Sequence, residues 1–283
     1  MLKRSCEKST PRHIGAVFSE TNMERVLAIA EEIQTELDGL QTCPAICGDG
    51  MVQVTPQSGK PQRVRCPILS EFCAYGSALG ERLEIFLRKL ALDTGVPERH
   101  IGNFGDYIET PAFAWAVQWR FGGFLVLSGG SGAGKSFGAA WAFKEFLRSR
   151  IPDPLNTKTW SRAAYAGERA MWGTANEIAR DRNKLDEARD KLFLVIDDFG
   201  REGNLSARQA DVSDIVSARY DKKLPTVVTT ELSFNDILKA YGRNTAFKLV
   251  EDNGGMFAVC GNFSLRHEMG DILEPCDESD NGG

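Results

Sequence analysis

Eight consecutive residues constrain this chain more than any others: Gly129-Gly130-Ser131-Gly132-Ala133-Gly134-Lys135-Ser136. They fit the pattern G-x-x-x-x-G-K-[ST]. The apolar run Phe124-Leu125-Val126-Leu127 precedes them, and a helical pattern starts near Phe137. Glycine lacks the Cβ that would block a tight turn, so backbone N–H groups can point into such a loop. The following helix directs its positive end to the same point. A strand, loop and helix in this order make a phosphate cradle. The pattern assigns nucleotide contact to Gly129, Gly130, Ser131, Gly132, Ala133, Gly134, Lys135, Ser136 and Phe137. Lys135 can reach the β- and γ-phosphates of ATP, and Ser136 can ligate Mg²⁺.

The complementary half of such a site is an acid at the end of a neighbouring strand. Leu192-Phe193-Leu194-Val195-Ile196-Asp197-Asp198 supplies one. Five apolar residues read as a strand buried on both faces. A carboxylate at its carboxyl end lies at the ligand edge of an open α/β sheet. Asp197 is the expected Mg²⁺-side carboxylate, and Asp198 the group that orients and polarises the attacking water.

From Thr110-Pro111 onward, strands and helices alternate, which predicts a parallel sheet flanked by helices. Strands are expected over 124–127, about 170–172, 192–196, 226–229 and 256–259. Thr110 can cap a helix with Pro111 in its first turn. Thr174 with Glu177 reads as a capping box. One strand intervenes in sequence between the two motifs. That is expected of P-loop ATPases that place an extra strand between them in space, and simple nucleotide kinases lack it.

The chain has 283 residues and a formal net charge of −5, which excludes a strongly basic nucleic-acid-coating protein. Local basic patches remain possible, because binding follows the local field. No apolar run approaches the roughly 20 residues of a membrane span. The N-terminus lacks the apolar core of an export signal, so a cytoplasmic location and no membrane contact are expected. The pattern divides into a polar tail over 1–20, an N-terminal region over 21–105, an ATPase domain over 106–273 and an acidic tail over 274–283. Within 21–105, an amphipathic helix is predicted from Thr21, and a second over 78–92 with Leu79, Leu83, Phe86, Leu87 and Leu90 on one face. Two short strands flank Gln57-Ser58-Gly59-Lys60-Pro61.

Seven cysteines do not pair evenly, and a reducing compartment favours metal over disulfides. Cys43, Cys47, Cys66 and Cys73 bracket the predicted hairpin as two pairs, the pattern of a zinc ribbon with four thiolates on a structural Zn²⁺. Free thiols are the competing reading. Cys260 is expected to end a core strand, and His100 and His267 to be structural or surface groups.

Motif order resembles the DnaC-like helicase loaders and the related IstB-like transposition helpers, both AAA+ ATPases. The resemblance spans most of 110–270. Asp197-Asp198-Phe199-Gly200-Arg201-Glu202 is similar to the family's D-D-hydrophobic-G-x-E run. Ser217-Ala218-Arg219-Tyr220 is similar to its Arg-Tyr helix end, and Leu224-Pro225-Thr226-Val227-Val228-Thr229-Thr230 to the strand before sensor 1. Tyr241-Gly242, Lys248-Leu249 and Gly261-Asn262-Phe263-Ser264-Leu265-Arg266 resemble its later motifs. The resemblance implies an α/β P-loop AAA+ fold behind a small helical and zinc-ribbon-like N-terminal domain. Some phage and prophage loaders carry such a cysteine-rich segment.

It also implies partners: a ring-shaped hexameric replicative helicase held by the N-terminal region (or a transposase), single-stranded DNA, and further copies of the chain in an ATP-dependent homo-oligomer. Arg266 matches the sensor-2 arginine. Three positions depart from the pattern. Glu231 replaces the usual Asn, which moves the sensor-1 role to Thr230 or alters it. Asn244 replaces an arginine beside Arg243, and Lys248 stands at the arginine-finger position. A lysine supplies charge without a planar fork, so hydrolysis is expected to be slow or partner-stimulated.

Arg180, Arg182, Lys184, Arg189 and Lys191 alternate with acids and read as a solvated helix face. Trp160, Tyr165 and Trp172 are the candidate stacking residues for single strands. A small-molecule P-loop kinase is a weaker alternative, lacking an obvious substrate lid. A nucleotide-binding adaptor with little hydrolysis is the other.

Overall fold

The computed structural model describes residues 51–54, 62–65, 74–101, 110–203, 206–250 and 255–261. The predicted hairpin forms: strands β1 (Met51–Val54) and β2 (Gln62–Arg65) pair antiparallel, Met51 opposite Arg65. The helix predicted from Thr21, all four cysteines of the zinc pattern, Arg266 and the acidic tail lie outside the described residues.

Helices α1 (Ala74–Asp93), α2 (Pro111–Gln118), α3 (Lys135–Arg148) and α4 (Ser161–Glu168) cover one face of a five-stranded sheet. The predicted apolar face of α1 is buried: Leu79, Leu83, Phe86, Leu87 and Leu90 join Phe143, Phe146 and Leu147 of α3 in one core. Glu84 of α1 pairs with Lys144 of α3 at 2.9 Å and with Arg148. Helix α1 is therefore bonded to the helix that carries the phosphate loop.

The sheet comprises β3 (Phe124–Ser128), β4 (Ala170–Thr174), β5 (Phe193–Phe199), β6 (Thr226–Thr230) and β7 (Met256–Val259). All its pairings are parallel, in the order β4-β5-β6-β3-β7. The five predicted strands are all present. An extra strand lies between the two motifs in space, as expected, and it is not the one that intervenes in sequence. The strand that intervenes in sequence, β4, lies at the sheet edge, whereas β6 separates β3 from β5 in space. The connection through α3 and α4 is long enough to carry the chain past two strand positions.

Alternate residues face two cores. Leu125, Leu127 and Val195 join α1–α4, while Val126, Leu194 and Ile196 face the other side. There they meet Ile178 of α5 (Ala175–Arg180), Leu185 of α6 (Arg182–Asp190), Ile215 of α7 (Ser206–Asp221) and Ile237 of α8 (Phe234–Val250). Helix α8 breaks at Gly242, whose φ of +79° few other residues adopt.

Both predicted caps form. Thr110 accepts from the Phe113 N–H at 3.1 Å with Pro111 at the helix start, and Thr174 and Glu177 exchange hydrogen bonds as a capping box. The charged face is also as expected. In α6 only Leu185 and Ala188 are buried, and Asp186 and Glu187 pair with Arg189 and Lys191.

Two of the three stacking candidates are corrected. Trp160 is fully buried, packs on Phe86 and donates its Nε1–H to the Pro154 carbonyl. Trp172 is buried in β4 against Phe143, with His100 stacked on it. Both rings are large apolar surfaces that the core of the α1–α4 face claims first. Tyr165 alone is exposed, with the Arg169 guanidinium over its ring. No described helix is long and apolar enough to cross a membrane.

Candidate functional site

The loop over 129–134 joins β3 to α3 at the carboxyl edge of the sheet. Gly132 and Gly134 have φ of +85° and +75°, the left-handed region that glycine enters without penalty. A Cβ on Gly134 would stand 2.9 Å from the Thr110 side chain. The α2 cap thus backs directly onto the loop. Replacing Gly134 by Ala is expected to cost about 1–3 kcal/mol of stability and to weaken ATP binding. A thermal melt beside a titration with a fluorescent ATP analogue checks this, and two unchanged curves count against it.

The loop is fixed on its other flanks too. The Gly129 N–H donates to the Thr230 carbonyl at 3.1 Å, and the Gly130 N–H to the Gly261 carbonyl at 3.0 Å. Cys260, buried at the end of β7 as predicted, packs under Gly129. Burial pushes its thiol pKa up to about 11, so at neutral pH it is an uncharged wall.

Helix α3 begins at Lys135, and its first intrahelical bond runs from the Gly138 N–H to the Gly134 carbonyl at 2.9 Å. The N–H groups of Lys135, Ser136 and Phe137 therefore lack intrahelical partners and lie at the loop mouth. The Phe137 ring packs towards Phe113 of α2, so its contribution to the loop is its backbone. Lys135 is only 8% exposed, and its Nζ donates to the carbonyls of Gly129 and Gly130 at 2.8 and 2.6 Å. Burial pulls its pKa below the usual lysine range, and nearby negative groups, Glu231 foremost, oppose that shift.

Asp197 is buried at the end of β5 and accepts a hydrogen bond from the Ser136 hydroxyl at 2.9 Å. The two motifs, 61 residues apart, meet at that bond. The Thr229 hydroxyl also donates to Asp197 and accepts from the Asp198 N–H at 3.0 Å. The register explains this double contact. Val228 pairs with Ile196 and Thr230 with Phe199, so Asp197 and Asp198 together face the single residue Thr229. This is a β-bulge, and Asp198 takes a φ of +56° within it. Consecutive residues of a regular strand point to opposite faces. The bulge re-aims Asp198, whose charge is felt by Lys135 and by Arg201.

The remaining predicted residues have other surroundings. The Thr230 hydroxyl donates to the Phe199 carbonyl at 2.7 Å and accepts from the Leu232 N–H at 3.0 Å. It is buried and committed to the backbone, which leaves it no proton to offer a water or phosphate. Lys248 lies over the Tyr220 ring with its Nζ 3.9 Å from Asp221, so it points to the end of α7 and not to the loop of its own chain. Arg243 is exposed beside the Phe247 ring.

Several contributors were not legible as site residues. Thr229 is one. The signal for it was a pair of threonines at a strand end, of which the sequence pattern favoured the second. Gly138 is another: a Cβ there would stand 2.9 Å from the Ala112 carbonyl, so its lack of a side chain lets α2 seat against α3. A third group follows β5. Gly200 has a φ of +99°, and a Cβ on it would collide with Leu232. Its N–H donates to the fully buried Glu202 carboxylate at 3.0 Å, which also accepts from the Tyr241 hydroxyl. Burial and that bond raise the Tyr241 pKa, and its ring stacks on Phe199 at 4.4 Å. This network fixes the turn that presents Arg201, which pairs with Glu231 at 2.6 Å.

No family model matches the chain, and no curated protein matches it. Solved structures do resemble it. The crystal structure of the DnaC helicase loader is 18% identical, with 59% of this chain and all of that chain covered and a TM-score of 0.41. The crystal structure of DnaI is 15% identical over 61% of this chain and 90% of that one, with a TM-score of 0.35. AMPPCP-bound DnaA from Aquifex aeolicus is 14% identical over 64% of this chain and 46% of that one, with a TM-score of 0.36.

Proposed function

We propose that the chain is a Mg²⁺-dependent AAA+ ATPase that uses its nucleotide state to load a ring-shaped replicative helicase onto DNA. The observation that carries the ATPase reading is the Ser136–Asp197 hydrogen bond. A hydroxyl and a buried carboxylate converge at the mouth of a phosphate loop, the donor set that Mg²⁺ prefers alongside phosphate oxygens and water.

Lys135 and the first N–H groups of α3 would bind the phosphates. Ser136 and Asp197 would hold Mg²⁺, which when bound offsets charge on the transferring phosphoryl group. Asp198 would accept a proton from the attacking water. Arg266 and Lys248 keep the roles the family resemblance implies, Arg266 as reporter of the γ-phosphate and Lys248 as a cation offered to a neighbouring copy. The helicase reading is supported by the order of motifs through 110–270 and by the cysteine pattern ahead of them, which resembles that of some phage and prophage loaders. In it, residues 21–105 hold the helicase, with a structural Zn²⁺ on Cys43, Cys47, Cys66 and Cys73, and the ATP-bound homo-oligomer grips single-stranded DNA.

Replacing Lys135 by Ala is expected to weaken ATP binding about ten- to a hundredfold, the size of a charge-assisted contact. A titration with a fluorescent ATP analogue in Mg²⁺ measures it, and an unchanged affinity removes the phosphate-site reading. The helicase reading has its own test. The full chain, ATP and the purified hexameric helicase of the source cell are mixed with circular single-stranded DNA. Helicase retained on the circles only with chain and ATP supports loading. No retention, with stimulation of a transposase instead, moves the chain to the transposition class.

A further inference from the structure

Arg201 and Glu231 stand at the ends of neighbouring strands and form an ion pair at 2.6 Å, with side chains 57% and 38% exposed. Pairs this exposed contribute little to stability, so folding does not account for the care with which the pair is framed. Both backbones are pinned. The Arg201 N–H donates to the Asp198 carbonyl at 3.1 Å, and the buried Glu202 anchors the turn on either side through Gly200 and Tyr241. On the other strand, Thr230 ties Phe199 to Leu232, and the Ser128 hydroxyl donates to the Leu232 carbonyl at 2.8 Å. The two charged side chains are held facing one another by a frame that reaches β3, β5, β6 and α8.

Their place is as informative as their frame. Glu231 follows β6, the strand between the loop strand and the Asp197–Asp198 strand. The residue before it, Thr230, accepts the N–H of Gly129, the first loop residue. Among carboxylates, Glu231 acts most strongly on the Lys135 ammonium, and the Asp198 charge is felt by Arg201. Lysine at this loop position serves the β- and γ-phosphates. A carboxylate whose charge reaches that ammonium acts on the terminal phosphate of ATP, and on ADP far less.

We propose that the Arg201–Glu231 pair sets the preference of this site for ATP over ADP. Glu231 repels the terminal phosphate, and Arg201 cancels that repulsion and turns its remaining guanidinium donors to the phosphate oxygens. A guanidinium has five N–H donors in a planar fork, so it can hold a carboxylate and a phosphate together. This rests on the phosphate-site reading above. It also gives Glu231, the residue that departs from the loader pattern, a task that a neutral asparagine would not need a partner to perform.

The test is a double-mutant cycle on the full chain in Mg²⁺, with ATP and ADP affinities measured for each protein by calorimetry. Arg201→Ala is expected to weaken ATP about tenfold and leave ADP nearly unchanged. Glu231→Gln is expected to tighten ATP several-fold relative to ADP. In the double variant the ATP-to-ADP ratio returns towards that of the parent, because the charge that Arg201 screens is gone. An ATP-to-ADP ratio that stays constant across all four proteins overturns the proposal while leaving the phosphate site intact. Failure of the parent chain to bind either nucleotide overturns the phosphate-site reading, and this proposal with it.

Discussion

Asp198→Asn is expected to slow ATP hydrolysis by roughly two to four orders of magnitude while ATP affinity stays close to the parent value. The reasoning starts from the bulge. Asp197 and Asp198 are neighbours with different surroundings: Asp197 is buried and bonded to the Ser136 and Thr229 hydroxyls, whereas Asp198 is half-buried and aimed elsewhere by its left-handed backbone. A non-glycine residue in that conformation costs of order 1 kcal/mol or more and persists where surrounding structure enforces it. Here the enforcement is the Thr229 hydroxyl on the Asp198 N–H and the Gly200 turn. Asparagine tolerates the same conformation better than other side chains. The substitution therefore removes the carboxylate's basicity and charge without disturbing the backbone. Single-turnover hydrolysis and a binding titration on one preparation separate the two effects. A variant that hydrolyses ATP as fast as the parent denies Asp198 its role. A parent that barely hydrolyses ATP favours the adaptor alternative, in which nucleotide binding is the signal. Asp197→Asn has a different expected signature, loss of the Mg²⁺ dependence of binding, because its carboxylate faces Ser136.

What was legible in the sequence is what depends on local pattern. Apolar runs bounded by turn residues gave every strand of the sheet, since a strand buried on both faces has no alternation to hide it. The phosphate loop and both caps follow from residues that act within a few positions, and Asp197 from its place at the end of an apolar strand. Lateral strand order was not legible. Nothing in 170–174 distinguishes an edge from a centre, and β6 gained the central place through its long-range register with both β3 and β5.

The bulge was also invisible, because two aspartates in sequence look the same whether they face one partner residue or two. Its consequence is that Thr229, and not Thr230, bonds the two aspartates. Strict alternation sent the Thr230 hydroxyl to the Phe199 carbonyl, and the extra residue in β5 brought both aspartates to Thr229. Charge composition fared no better with Glu231, which read as a departure, and Arg201, which read only as part of the D-D-hydrophobic-G-x-E run, until two turns set them face to face. The two buried tryptophans teach the same lesson from the other side. A ring available for stacking on a base and a ring needed by a core have the same sequence signature.

Arg219→Met is expected to cost about 3–5 kcal/mol of stability, because it strips donors from several buried acceptors at once. Arg219 is fully buried at the end of α7, where the Arg-Tyr helix end was noted only as a pattern. Its guanidinium donates to the Thr226 hydroxyl at 2.7 Å, to the carbonyls of Ala188 and Lys191 at 2.7 and 2.8 Å, and to the Pro225 carbonyl at 2.9 Å. Desolvation lowers its pKa to about 9, with Asp190 opposing, so at neutral pH it remains charged and its bonds are charge-assisted. Those acceptors lie at the end of α6, in the turn before β5 and at the start of β6. One side chain thus fixes the near ends of the two strands whose far ends carry Asp197, Asp198 and Glu231. For a domain of this size the loss corresponds to a fall in melting temperature of about 10 °C. Methionine keeps much of the apolar stem, so the loss reports the hydrogen bonds more than the volume. Arg219→Lys is expected to recover only part of it, since an ammonium cannot reach acceptors spread around a planar fork. A melting temperature within a degree or two of the parent for Arg219→Met would show that water replaces the guanidinium at these carbonyls. If the melting temperature falls as expected, ATP affinity should fall only as folded protein is lost, because none of the four acceptors touches the phosphate loop.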